Sequence, residues 1–166
     1  IGAGVGGLSC ALVLSRQGHR VSVFERADEI CEIGAGLTLS PNAIRVIDHL
    51  DLRRALEEVA ESPGDGLYLH YQTAEVLHRV DRSGPYAASG KSGFYQVHRS
   101  DFLDVLLKAV KSESNCNLST GSELIEYEET NNLVRVMFSH GERKSFDVLI
   151  GGDGLRSLVR ESLNSS

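Results

Sequence analysis

Three glycines at the start of the sequence, Gly2, Gly4 and Gly7, follow the spacing Gly-x-Gly-x-x-Gly. In nucleotide-binding folds the first glycine permits a tight turn, the second lets the backbone approach a pyrophosphate, and the third lets a helix pack on a strand. The helix that follows offers unpaired backbone N–H groups and a positive dipole to phosphate. Because glycine triplets also occur by chance in loops, the neighbouring elements decide what the motif means.

The residues after the glycines have the order that this motif requires. One face of a predicted helix carries small and apolar residues, namely Leu8, Ala11, Leu12 and Ser15. Gly18 is placed to end that helix, and residues 20–24 predict a strand. A glycine turn, a helix and a strand form the second part of a βαβ unit, which requires a parallel sheet. Because only Ile1 precedes the first glycine, we expect the strand that leads into the turn to be missing.

A carboxylate closes the predicted strand. From this position Glu25 can accept two hydrogen bonds from the hydroxyls of an adenosine ribose, and it would repel a 2′-phosphate. The pattern therefore favours FAD or NAD over NADP. In the alternative interpretation, Glu25 is a solvated residue at a strand end. Arg26 beside it either reaches a phosphate or lies on the surface.

The middle of the chain is predicted to leave the parallel sheet. Serine before Pro41 marks a helix start, because serine caps orphan amides and proline at the first helical position loses no hydrogen bond. Alternation with a period of two residues indicates antiparallel strands. In chain order, the predicted segments are a loop over 27–39, a helix from Pro41, a helix over 52–59, an antiparallel hairpin over 66–80, a mobile loop over 81–92 and a helix capped by Ser100.

A second glycine turn follows the last of three strand-like runs, which cover residues 124–127, 133–138 and 146–150. In the sequence Gly151-Gly152-Asp153-Gly154, backbone without side chains can pass close to a ligand while Asp153 presents a carboxylate to its hydroxyls. In the alternative interpretation, this is a strand-to-helix turn in which Asp153 is the helix N-cap.

Composition narrows the function classes. The 166 residues include 17 Lys and Arg against 23 Asp and Glu, a net charge of −6, so no electrostatic footprint for nucleic acid is visible. The three cysteines are widely spaced, which predicts thiols in a reducing, cytoplasmic setting. No apolar run approaches the ~20 residues that span a bilayer. The histidines lack metal-ligand spacing. We therefore expect no nucleic acid, no membrane span and no metal.

Five motifs taken together resemble the flavin-dependent aromatic-ring monooxygenases, and salicylate-hydroxylase-like members in particular. They occur in the order seen in that group and extend from residue 1 to about residue 161. They are Gly2-Ala-Gly4-Val-Gly-Gly7, Val-Phe-Glu25-Arg26, Gly34-Ala35-Gly36 with Pro41-Asn42, Val-His98-Arg99, and Asp147 to Arg160 with its Gly-Gly-Asp153-Gly154 turn.

The resemblance implies a cofactor and a set of contacts. Gly2, Gly4 and Gly7 would line the pyrophosphate of FAD, and Glu25 would hold the adenosine ribose. The sequence Gly34-Ala35-Gly36 would bring backbone close to the FAD. Arg99 would reach the FAD from the following helix. In the alternative interpretation, which does not use the family, Arg99 is a surface arginine. Asp153 and Gly154 belong to the segment that such enzymes use for FAD and for the pyridine nucleotide. NAD(P)H would be the electron donor. No residue is identified as catalytic.

The implied fold is α/β: a Rossmann-like FAD-binding domain of the glutathione-reductase type with a partial antiparallel β substrate lobe, truncated at both ends. The domain prediction is a FAD-binding βαβ portion over 1–65, a hairpin and loop excursion of the substrate lobe over 66–95, and a continued FAD-binding domain over 96–166. This last part contains a β-meander and the Asp-Gly motif.

The implied function is the FAD-binding part of an NAD(P)H-dependent monooxygenase that hydroxylates a phenolic or aromatic acid. Two alternatives stay open: a non-catalytic FAD- or nucleotide-binding module, including a degenerate fragment, and an NAD-dependent dehydrogenase that uses the first motif alone. The substrate, the choice between NADH and NADPH and the oligomeric state are not predicted.

Overall fold

The structure is a computed structural model that describes residues 1–30, 35–81 and 93–164. The chain divides into two compact units, one of residues 1–32 with 106–166 and one of residues 33–105. The helices are α1 Val5–Arg16, α2 Pro41–His49, α3 Arg53–Glu57, α4 Arg99–Ser112 and α5 Leu158–Asn164. The strands are β1 Val21–Phe24, β2 Gly36–Leu39, β3 Ala60–Glu61, β4 Gly66–Leu69, β5 Val76–Val80, β6 Tyr95–His98, β7 Cys116–Ser119, β8 Leu124–Glu129, β9 Val134–Phe138 and β10 Arg143–Phe146. The predicted domain boundaries at 65 and 95 stay a prediction.

Helix α1 follows the first glycine turn as predicted. Its buried residues are Leu8, Ala11, Leu12 and Ser15, the four residues of the predicted face. Gly18 follows the helix with φ +91°, which is accessible to glycine at little steric cost. Its N–H donates to Ser15 O at 2.9 Å, and the N–H of His19 donates to Leu14 O at 3.1 Å. These two bonds are the Schellman arrangement, which stops the helix and turns the chain into β1.

Strands β1 and β7 pair in parallel, with Val21 opposite Cys116 and Phe24 opposite Ser119, which confirms the predicted parallel sheet but not its partner, because β7 was not predicted. The side chain of Asn115 holds this pair to the end of α1. Its Nδ2 donates to Ser15 O and to His19 O, both at 2.7 Å. Since one amide satisfies carbonyls on both sides of the Gly18 turn, the end of the helix is fixed relative to β7.

Strands β8, β9 and β10 form the predicted antiparallel meander, in the order β10-β9-β8. One hydrophobic cluster of the first unit contains five buried residues, Phe24, Leu124, Val136, Phe138 and Val159. The rings of Phe24 and Phe138 lie 4.5 Å apart, so a residue of the parallel pair packs directly on the meander.

The second unit contains the three-stranded sheet β2-β6-β3 and the two-stranded hairpin β4-β5. The hairpin confirms the prediction over 66–80, and all five residues of β5 are exposed. Helices α2 and α3 bury Ile44, Ile47 and Leu56. The guanidinium of Arg53 is held by Asp48 and by the hydroxyl of Tyr95, which in turn donates to Glu57 Oε1 at 2.6 Å.

Three local predictions are wrong. Residues 36–39, predicted as part of a loop, form β2 because they pair with β6, far away in the sequence. The strand predicted over 146–150 ends at Phe146, because β10 pairs with β9 from Arg143 onward. Ser100 does not cap α4, which begins at Arg99 directly after β6; its hydroxyl lies 3.4 Å from Asp101 Oδ1 instead. The predicted loop over 81–92 lies outside the described residues apart from Asp81.

Candidate cofactor-binding site

The first glycine turn presents the start of α1 without a side-chain cap. Gly4 occupies the N-cap position, no side chain bonds the first amides, and the first turn carries no acidic residue. The first intrahelical bond at this end is from Leu8 N–H to Gly4 O, at 3.0 Å. The amides before Leu8 therefore add to the positive end of the helix dipole, an arrangement that suits phosphate.

The two glycine turns are in direct backbone contact. A methyl group built on Gly7 would lie 2.0 Å from Gly2 O, and one on Gly2 would lie 2.4 Å from Gly152 O. Gly2 also has φ +94°, a conformation that side-chain-bearing residues rarely adopt. From the other side, a methyl group on Gly152 would meet the backbone of Gly7 at 3.2 Å. The absence of side chains therefore lets the turns before α1 and α5 approach each other.

Glu25 reaches back from the end of β1 to the first turn. Its Oε2 accepts the N–H of Ala3 at 2.8 Å, and its Oε1 accepts the N–H of Ala27 at 3.0 Å. Glu25 is partly buried, whereas Arg26 is exposed. Each carboxylate oxygen keeps a lone pair after accepting one bond. The side chain thus both fixes the turn and keeps acceptors for hydroxyl groups next to it.

Asp153 lies at the second turn, where its carboxylate accepts an N–H from the start of α5. The N-cap itself is Ser157, whose Oγ accepts the Arg160 N–H at 3.0 Å, so the prediction that Asp153 is the N-cap is wrong. Its Oδ1 accepts the hydroxyl of Ser157 at 2.6 Å, and its Oδ2 accepts the N–H of Val159 at 3.3 Å. Burial alone would raise the pKa of Asp153, but these bonds and that from the Leu158 N–H outweigh it and lower the pKa below the ordinary 3.8. These contacts are the part of the capping interpretation that the structure shows, and the contact of Asp153 with a cofactor stays a prediction. Gly154 beside it is exposed, with φ +78°.

In the second unit, Ala35, Gly36 and Arg99 are neighbours. Arg99 N–H donates to Ala35 O at 3.0 Å, and Gly36 pairs with His98 in the β2-β6 ladder. All three residues are exposed. Gly34, the other glycine of this motif, lies outside the described residues.

The structure brings together Gly2, Gly4, Gly7, Glu25, Asp153 and Gly154 in one unit, and Ala35, Gly36 and Arg99 in the other. Gly152 and the Ala3 amide complete the first group. Sequence reasoning gave Gly152 only as part of the second glycine turn, where backbone can pass close to a ligand, and it did not name the Ala3 amide. The first group fits a phosphate-linked nucleotide, because capless amides, side-chain-free backbone and a carboxylate lie side by side.

The FAD binding domain family matches the whole chain, residues 1–166. The chain belongs to this family. Its resemblance to flavin-dependent aromatic hydroxylases is thereby confirmed, as are the α/β FAD-binding fold and FAD as the cofactor of the domain.

The relatives include a monooxygenase, a hydroxylase and a protein solved with FAD. The chain is 32% identical over 164 residues to 6-hydroxynicotinate 3-monooxygenase of Pseudomonas fluorescens, covering 98% of the chain and 42% of that protein. It is 33% identical over 164 residues to a salicylate hydroxylase of Pseudomonas putida, covering 96% and 36%. Klebsiella pneumoniae HpxO, solved with FAD and uric acid, matches with a TM-score of 0.83 at 26% identity, covering 97% of the chain and 40% of HpxO. The chain thus spans about two fifths of the length of these proteins.

Two further observations concern the part of the chain that the structure describes. No helix there is long and apolar enough to cross a membrane. Within the same residues, no group of three or more His, Cys, Asp or Glu side chains is placed to hold a metal ion.

Proposed function

We propose that the chain supplies the FAD-binding part of an NAD(P)H-dependent flavoprotein monooxygenase that hydroxylates a phenolic or aromatic acid. The observation that carries this proposal is the backbone contact between the turns at Gly2–Gly7 and Gly152, with the Glu25 carboxylate bonded to Ala3. Membership of the FAD binding domain family and the names of the relatives support the chemistry and the substrate class.

In this proposal the glycines of the first turn line the pyrophosphate. The pyrophosphate would come closest to the backbone at Gly4. A methyl group built there has no neighbour within 4 Å, so the space beside Gly4 is open. Arg26, which follows Glu25 and is exposed, is the proposed partner of a phosphate oxygen. Asp153 and Gly154 take the FAD hydroxyls and the pyridine nucleotide. The Ala35–Gly36 backbone and Arg99, which are neighbours in the second unit, are further proposed contacts of the FAD.

Glu25 has two roles in this proposal. Its carboxylate accepts hydrogen bonds from the ribose hydroxyls, and its bond to Ala3 holds the glycine turn in shape. Its negative charge also disfavours a 2′-phosphate at the same place. When bound, the flavin supplies electron transfer from NAD(P)H and oxygen chemistry, while the chain positions the cofactor and sets the charge around it.

The cysteines and the net charge support proposals about the cellular compartment and the partners. Cys10 and Cys116 are free thiols, which suits the reducing cytoplasm that we propose. We further propose a small aromatic substrate and no nucleic-acid partner, since the net charge of −6 opposes binding to a polyanion.

Titration of the purified chain with FAD, followed by flavin fluorescence, tests the nucleotide site. Because a hydrogen bond to a charged group contributes ~1.5–3 kcal/mol, Glu25→Ala should weaken FAD binding by roughly 10–100-fold. The exposed Glu29 provides a matched control, and Glu29→Gln should leave binding unchanged. AMP should compete with FAD, whereas adenosine 2′,5′-bisphosphate should compete only after Glu25→Gln. If adenosine 2′,5′-bisphosphate competes with FAD as well as AMP does in the unaltered chain, the proposed role of Glu25 is contradicted.

A chimera tests the hydroxylase activity. This chain would replace the matching segment of a Pseudomonas putida salicylate hydroxylase, which supplies the other part of that protein's length. We expect the chimera to hold FAD, to consume NAD(P)H and to hydroxylate salicylate. A chimera that holds FAD but neither oxidises NAD(P)H nor forms product would favour the non-catalytic binding module. Binding of NAD without FAD would favour a dehydrogenase, which the family match over the whole chain opposes.

A further inference from the structure

Arg53 is a buried charge outside the candidate cofactor site. Only 10% of its side chain is exposed, whereas the carboxylates of Asp48 and Glu57 beside it are 38% and 45% exposed. Its Nε donates to Asp48 Oδ1, and its Nη2 donates to Asp48 Oδ2 at 2.7 Å. This bidentate pair joins the end of α2 to the start of α3 and fixes the plane of the guanidinium. The third nitrogen, Nη1, donates to the hydroxyl of Tyr95 in β6.

The hydroxyl of Tyr95 is hydrogen-bonded on both sides. It accepts from Arg53 Nη1 at 3.2 Å and donates to Glu57 Oε1 at 2.6 Å. Tyr95 is buried, and this burial together with the bond to Glu57 raises its pKa above the ordinary value, so the phenol stays neutral. Because its donor and its acceptor both belong to α3, the two bonds tie the start of β6 to that helix in one orientation.

Strand β6 has few other groups that could fix its register. It has four residues, of which Tyr95 and Val97 are buried, and it lies between β2 and β3 in the sheet. A shift of one residue would exchange its buried and exposed faces. A buried polar group that must meet particular partners can specify one register even where it adds little stability. The Tyr95 hydroxyl is the group of this kind in β6.

The other end of β6 leads directly into the second group of the candidate site. His98 pairs with Gly36, and the next residue, Arg99, donates its N–H to Ala35 O at 3.0 Å. Every residue of β6 is paired with β2, so the strand is supported along its whole length. Four steps of ~3.3 Å separate Tyr95 from Arg99. The position that the hydroxyl sets at the start of β6 therefore also determines where Arg99 begins α4.

We propose that Tyr95 is a positioning residue for Arg99: its hydroxyl, held by Arg53 and Glu57, fixes β6 and thereby sets Arg99 toward the FAD. The inference rests on the proposed function, because Arg99 is a contact of FAD only in that proposal. Tyr95 acts through the strand and does not itself contact the cofactor. It is a hydrogen-bonded support one strand length away from the residue that it serves.

Two substitutions in the full chain remove this support, and each has a matched control. Tyr95→Phe keeps the ring and loses only the hydroxyl. Its control is Ile44→Val, which lowers stability at a fully buried residue of the same unit without removing a polar group. Glu57→Leu removes the acceptor at an exposed position, so it serves even if Tyr95→Phe does not fold. Its control is Glu57→Gln, which keeps an oxygen that can accept from the phenol.

Hydrogen exchange of the Arg99 amide is the first readout, expressed relative to the His70 amide, which is bonded within the β4–β5 hairpin. We expect Tyr95→Phe and Glu57→Leu to raise this ratio at least ~10-fold, because the start of α4 can then open locally. Ile44→Val and Glu57→Gln should leave it unchanged. A ratio that rises equally in Tyr95→Phe and Ile44→Val, or in neither, would overturn the proposal.

FAD titration is the second readout. Tyr95→Phe should weaken FAD binding ~10-fold in the otherwise unaltered chain but add little in an Arg99→Ala background, because two residues that act through one contact are not additive. Unchanged binding in Tyr95→Phe, or losses that add fully, would also overturn the proposal. If the unaltered chain takes up no FAD, the proposed function fails, while the exchange ratios still decide whether Tyr95 sets the position of Arg99.

Discussion

Substituting the glycines of the first turn one at a time separates what the fold needs from what the cofactor needs. In Gly7→Ala, the added methyl group would lie 2.0 Å from Gly2 O and 3.0 Å from Gly2 C. Both are backbone atoms, so no side-chain rotation relieves the overlap. Overpacking of this kind costs ~1–3 kcal/mol, and the short distance places this variant near the upper value. For a chain of this length, ~3 kcal/mol lowers Tm by about 6–12 °C.

Gly4→Ala differs because its methyl group meets no atom within 4 Å and its φ of −74° suits alanine. Its free energy of unfolding should stay within ~0.5 kcal/mol of the unaltered chain. The methyl group nevertheless stands beside the amides at the start of α1, where the pyrophosphate is expected. We expect at least ~10-fold weaker FAD binding, which corresponds to ~1.4 kcal/mol.

Gly6→Ala is the matched control, because its methyl group also has no neighbour within 4 Å and it lies within α1. It should stabilise the helix by ~0.5–1 kcal/mol and leave FAD binding intact. Thermal unfolding and FAD titration of the three variants give both quantities. If Gly7→Ala unfolds at the same temperature as Gly4→Ala, the contact between Gly2 and Gly7 is not as described. If Gly4→Ala binds FAD normally, the turn does not hold the pyrophosphate.

Two further predictions concern stability. Asp153→Ala should cost ~1 kcal/mol at pH 7 through loss of its hydrogen bonds to Ser157 and to the Val159 N–H at the start of α5. Because the native pKa of Asp153 lies below 3.8, this difference should shrink as the pH falls through that pKa, and a constant difference down to pH 2 would contradict the assignment. Phe138→Ala, at a fully buried ring in tilted contact with Phe24, should lower the free energy of unfolding in urea by ~3–5 kcal/mol, clearly more than Phe138→Leu. Equal losses would argue against this ring contact.

The elements that the sequence predicted well are those determined by local spacing. The buried face of α1 follows from apolar residues three and four positions apart, and its end follows from Gly18. The hairpin of β4 and β5 follows from alternation and a short connection. In each case the information lies within about a dozen residues, so no distant contact was needed.

The elements that were missed depend on remote partners. Strand β7 has the polar sequence Cys-Asn-Leu-Ser and exists because it pairs with β1, nearly a hundred residues earlier. Strand β2 starts at Gly36, which predicts a loop, yet it pairs with β6 across the middle of the chain. The β-propensity of such short segments is a weak signal, and whether they form strands depends on the strand with which they pair.

The residues of the candidate site were also predicted where local spacing determines them and missed where distant contacts do. Motif spacing identified Gly2, Gly4, Gly7 and Glu25, because each residue type has a physical reason at its position. It did not indicate that Glu25 would bond to Ala3 or that Gly152 would touch the first turn, because those contacts depend on how β1 and the last segment lie together. The assignment of individual residues to FAD atoms stays a prediction.

The most direct test of the account is the amount of FAD that the purified chain retains after exhaustive dialysis, compared with the Gly4→Ala variant at equal Tm. If the paired glycine turns and Glu25 form one nucleotide site, the unaltered chain keeps about one FAD per molecule, read from the flavin absorbance, and the variant loses it. A colourless chain that takes up no added FAD, or equal retention by both proteins, would contradict the account.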